Sequence, residues 1–153
     1  MSGEINNAGN IFRILANLPN FLRKPILKNK LTEFSSATED DKKKMISLIL
    51  HAAVYVDSSI LSTILKSWFE VLAELDTEKI TAIFEIYCET ALRDPKSLER
   101  LDIGLIIDVF SKLEIKQKEK LADCLKEVFF TIPNKYKILN LIPKYGLEIL
   151  GII

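Results

Sequence analysis

Apolar residues along this chain fall at helical rather than strand spacing. Met45, Leu48, Ile49, Ala52 and Ala53 stand at i, i+3, i+4, i+7 and i+8, which is one face of a 3.6-residue helix. The same spacing returns in Ile83, Ile86, Tyr87, Thr90 and Ala91, and again in Leu121, Cys124, Leu125, Val128 and Phe129. Ile11, Ile14 and Leu15 form the earlier counterpart, and each set lies 38 residues from the one before. Val54-Tyr55-Val56 is β-prone but closes a helical pattern, so no strand is expected.

The helical stretches are separated by breaks at the same interval. Leu18-Pro19-Asn20, Val56-Asp57-Ser58, Asp94-Pro95-Lys96 and Ile132-Pro133-Asn134 align in one column. Proline fixes φ and suits the first turn of a helix, and Asp and Ser suit turns, so each triplet reads as a tight break between two helices.

A second helix follows each break. Its inner columns are Leu22, Ile60, Leu98 and Tyr136; Leu27, Leu65, Ile103 and Leu141; and Leu31, Phe69, Ile107 and Tyr145. Phe34, Leu72 and Phe110 continue the series, and the fourth unit departs from it with Glu148. The linking segments Ser35 to Asp41, Ala73 to Lys79 and Ser111 to Gln117 are polar. Thr38-Glu39-Asp40-Asp41 and Asp76-Thr77-Glu78 supply caps and acids where free N–H groups and the helix dipole favour them. Pro25 and Pro143 lie inside second helices and are expected to kink or shorten them.

The expected fold is all-α: a right-handed superhelical stack of four helical hairpins covering about residues 1–35, 36–73, 74–111 and 112–153, as one helical-repeat domain. This arrangement resembles the α-solenoids, in particular HEAT-like repeats, at the level of architecture. Asp94-Pro95-Lys96 is similar to the acidic-proline turn between the two helices of a HEAT repeat, with Arg100 an approximate counterpart of the basic residue that follows it. The alternative is a plain helical bundle.

Composition narrows the chemistry. The 153 residues carry 21 basic and 21 acidic side chains, two cysteines and one histidine. Such a chain is neither disordered, disulfide-stapled nor a polycation. The polar N-terminus reads as no secretory signal, no stretch is apolar enough to span a membrane, and few, distant cysteines suit a reducing cytoplasm. Abundant Lys and Glu with a single Gln, Gln117, leans towards thermophilic usage.

No catalytic constellation, cofactor motif or metal motif is found. His51 has no second histidine to share a metal, and reads as a half-buried helix residue. Cys124 falls in a core column, whereas Cys88 is placed nearer the surface. Glu85 and Glu89, with Asp123 in the column of Glu85, read as an acidic face.

Charge is unevenly spread. The net charge is +3 over residues 1–50, −6 over 51–110 and +3 over 111–153. The expected function is a non-enzymatic protein-interaction module or scaffold. Its partner would be another protein or a second copy, held by the apolar C-terminal end: Tyr145, Leu147, Ile149, Leu150, Ile152 and Ile153. The alternative is a small helical accessory subunit of a nucleic-acid-processing complex, of the CRISPR-effector or replication type. It would touch phosphates through Arg23, Lys24, Lys28 and Lys30, beside a core Phe21.

Overall fold

The computed structural model describes residues 2–153, with every side chain there except those of Ser2, Ile5, Ser97 and Leu98. Leu98, assigned above to an inner column, therefore lies outside the described side chains. The described residues contain helices and turns and no strand. In order they are α1 (Ser2–Asn17), α2 (Asn20–Ser36), α3 (Glu39–Ala53), α4 (Ser58–Ala73), α5 (Thr77–Arg93), α6 (Pro95–Arg100), α7 (Ile103–Ser111), α8 (Ile115–Thr131), α9 (Lys135–Leu139) and α10 (Lys144–Ile149). None is long and apolar enough to cross a membrane.

Local chemistry sets several boundaries. The Thr38 hydroxyl accepts from the Asp41 N–H at 3.2 Å, and Glu39, Asp40 and Asp41 fill the first turn of α3. Each break triplet named above falls at a junction between helices. Pro25 does not shorten α2, which runs from Asn20 to Ser36. The carbonyl that loses its i+4 partner there belongs to the exposed Phe21, within reach of water. Pro143 does interrupt: it precedes α10 and separates it from α9.

The third unit has a divided second helix, which the apolar columns did not predict. The Asp102 carboxylate accepts from the Leu105 N–H at 3.0 Å, so a new helix begins there and α6 stays separate from α7.

The helices lie in two layers. α1, α3, α5 and α8 pack each on the next, and so do α2, α4, α7 and α10, while α4 also touches α1 and α8. One contiguous apolar cluster fills the space between, from Leu15 to Leu150, with Leu31, Leu72, Ile80 and Leu121 at its driest points. Phe69 meets Phe110 edge-on at 5.9 Å, joining α4 to α7.

Several inner-column assignments are corrected at the two ends. Ile14 and Leu22 are exposed, since among the described helices none packs on that side of α1 and α2. Ile11 is exposed too, and so is Ile49, its counterpart on the interior helix α3, so that column faces partly outward. Phe21, expected in the core, is 74% exposed. Tyr136 and Tyr145 at the other end are likewise exposed.

Candidate functional site

The basic cluster of α2 does not converge on a ligand. Arg23 is 8% exposed and turned inward. Its Nε donates to the Leu15 carbonyl at 3.0 Å, Nη2 to the Leu18 carbonyl at 2.6 Å, and Nη1 to Ser67 Oγ at 3.2 Å. Ser67 Oγ in turn donates to Asn20 Oδ1 at 3.0 Å. Helix C-termini leave carbonyls short of partners, and Arg23 adds a charged donor at the end of α1, to the Leu18 carbonyl and to the Leu15 carbonyl that the Leu18 N–H also bonds. This corrects its assignment as a phosphate contact: an arginine so held has no donor fork to offer solvent. A sequence signal existed, because Arg23 stands 38 residues before Leu61, a buried position on α4.

Lys24 and Lys28 both lie 3.6 Å from a carboxylate oxygen of Glu74, and Lys30 lies 3.5 Å from Glu33. Partly exposed pairs of this kind leave the lysines hydrated and contribute little stability. Two other lysines are turned inward. Lys120 Nζ donates to the Ala73 carbonyl at the end of α4, 2.9 Å away, and Lys118 Nζ to the Ser111 carbonyl at the end of α7, 3.0 Å away.

The C-terminal residues divide into two groups. Tyr145, Ile149 and Ile153 are exposed and Leu147 is half-buried. Leu150 belongs to the core, which takes it off the surface, and Ile152 packs against that core half-buried. The cause is a Schellman turn: Gly151 takes φ +75°, its N–H bonds the Glu148 carbonyl, and the Ile152 N–H bonds the Leu147 carbonyl at 2.9 Å. The chain thereby folds back and lays Ile152 on the core. Gly146 is the close-approach point of α10 on α7, since a Cβ there would stand 2.5 Å from Ile107 Cδ1.

The residues with candidate chemistry serve as structure. His51 Nδ1 lies 2.7 Å from the Ser47 carbonyl and Nε2 3.3 Å from Asp94 Oδ2, linking α3 to the turn before α6. Cys88 is buried, contrary to its placement nearer the surface. Burial pushes its thiol up to about 12, with Glu89 and Glu85 adding to the effect. Such a thiol is protonated and unreactive at neutral pH. Cys124 is buried too, its Sγ 3.7 Å from the Thr77 carbonyl. Among the described residues no group of three His, Cys, Asp or Glu side chains is placed to hold a metal ion.

Two surface features escape the sequence reading. Glu78, Glu85 and Glu127, with Thr77, Thr81 and Ala82, line an open cleft of about 360 Å³ between α5 and α8. On the other side of α8, Phe130 is 80% and Tyr136 67% exposed. Lys135 Nζ lies 6.0 Å from the first ring centre and 5.5 Å from the second. A recess of about 110 Å³ lies beside them, walled by Lys126, Phe129, Leu139, Gly151 and Ile152. Tyr136 reads as an inner-column residue by spacing, but Asn134, at φ 60°, turns the chain just before it. Comparison of the chain with protein-family models, with curated proteins and with solved structures gave no match.

Proposed function

We propose that this chain is a non-enzymatic protein-interaction module, built as a HEAT-like superhelical stack of four hairpins with a 38-residue repeat. The observation that carries this is the two-layer packing, in which α1, α3, α5 and α8 follow one another and α2, α4, α7 and α10 do the same. The N-caps Thr38, Asp76 and Glu114 of α3, α5 and α8 stand at that interval, which supports the repeat. A stack of this kind presents long helical faces and two ends rather than a reaction pocket. The exposed large apolar residues at those ends, Ile11, Ile14 and Phe21 at one and Tyr145, Ile149 and Ile153 at the other, support contact with protein. Two free, buried cysteines support a reducing cytoplasm as its location.

The test is affinity capture from the source cells with the intact chain and with a chain carrying Ile149→Asp and Ile153→Asp. A partner lost with the double variant is the expected result. No partner with either chain, together with a monodisperse monomer in solution, overturns the proposal.

A second reading, an accessory subunit of a nucleic-acid-processing complex, has support in the ring pair around Lys135, since bases stack on exposed aromatics beside cations. It predicts salt-sensitive oligonucleotide binding that Lys135→Glu abolishes. Absence of binding at low salt removes the direct-contact form.

A further inference from the structure

We infer that the end of α8 is a self-complementary surface that pairs with a second copy of this chain about a two-fold axis. The inference deepens the interaction-module reading and rests on it.

The two surface features flank one helix. Glu127 faces the acidic cleft, and Phe130, three residues on and therefore its neighbour on the helix surface, faces the basic-aromatic corner. Among the described residues, none of Glu78, Glu85 and Glu127 pairs with a cation, and neither Lys135 nor Lys137 pairs with a carboxylate. Opposite charges standing side by side suit an isologous contact, because a two-fold rotation lays the corner of each copy on the cleft of the other. Phe130 and Tyr136 would then lie between the charged borders, where buried aromatic anchors carry most of the energy of an interface. Lys135 already rests against both rings, so little ordering is required on association. A phosphate backbone on the same corner would run against Glu127, which favours the second copy over nucleic acid.

Sedimentation velocity over a concentration series tests the pairing, with circular dichroism to check that each surface variant folds. The intact chain is expected to dimerise, more weakly as salt rises. Lys135→Glu with Lys137→Glu makes both borders acidic, and Glu78→Lys with Glu85→Lys makes both basic. Each double variant alone should bind itself at least about tenfold more weakly. Mixed in equal amounts, the two should pair again, because both charge contacts are restored.

A chain that stays monomeric at every concentration overturns the inference, as does a dimer that survives both charge reversals. A monomer that binds a labelled single-stranded oligonucleotide through Lys135 also overturns it and assigns the corner to nucleic acid. A monomer that still captures a cellular partner overturns the dimer alone and leaves the interaction-module reading standing.

Discussion

Arg23 and Ser67 meet where α2 packs on α4, with Nη1 donating to Oγ at 3.2 Å while the rest of the guanidinium closes the end of α1. One buried side chain therefore ties three helices together. Removing it takes a charged donor from the Leu18 carbonyl, from the Leu15 carbonyl, which keeps the Leu18 N–H, and from Ser67 Oγ, which still donates to Asn20. Arg23→Ala should cost about 3 kcal/mol, the range for breaking a buried charged hydrogen-bond group. Ser67→Ala should cost about 1 kcal/mol. Urea denaturation of both variants measures this, and equal, negligible losses would refute the role given to Arg23.

Gly146 allows α10 to sit on α7. Gly146→Ala gains helix propensity but drives a methyl against Ile107 Cδ1 and, at 2.9 Å, Ile142 Cγ2. Overpacking should win by about 1 kcal/mol. Adding Ile107→Val removes the nearer methyl and should recover most of the loss in the same denaturation assay.

The turn at Gly151 makes a separate prediction. Gly151→Ala strains a φ of +75° and should lower stability by about 1 kcal/mol, whereas Gly151→Asn, which tolerates that conformation, should lose less. Amide hydrogen exchange should speed up at Ile152 and across α10 in the alanine variant. Unchanged exchange there would mean that the turn does not hold the tail.

Alkaline pH tests the buried thiol. Cys88 loses its proton near 9 when unfolded and near 12 when folded, so the folded state holds the proton more tightly in between. Its contribution is whole below about pH 9 and is lost as pH rises towards 12. Tyr87 acts in the same direction, because burial raises its phenol as well. Stability should therefore fall above pH 9, and Cys88→Ala should flatten part of that fall. In the folded chain at pH 8, a thiol reagent should leave Cys88 untouched until denaturant is added.

The helices are largely legible in the sequence, and so is much of the core. Phe34, Leu72 and Phe110 on second helices and Leu15, Ala53, Ala91 and Phe129 on first helices are all buried, as their spacing implies. Spacing reports which face a residue shares, but not whether another helix covers that face. Ile14 and Ala52 hold equivalent places, yet Ile14 is exposed because its face of α1 lies away from α3 and α4, the described helices that pack on α1. The candidate site was less legible for a related reason. Arg23 carries a charge that marks it as surface, while its helical position marks it as core, and three neutral acceptors decide for the core. Phe130 is the reverse: its apolar character suggests the interior, and its position one place beyond the buried Val128-Phe129 pair turns it outward.

The inward lysines change how the molecule would look to an approaching neighbour. Arg23, Lys118 and Lys120 direct their cations at the carbonyl ends of α1, α7 and α4. Those carbonyl ends carry partial negative charge, so each cation is largely compensated where it sits. A chain that balances 21 bases against 21 acids thus keeps three of its cations tethered to backbone rather than free in solvent. Limited acetylation of the folded chain should therefore label Lys118 and Lys120 more slowly than the exposed Lys44 and Lys112, and mass spectrometry reads the difference.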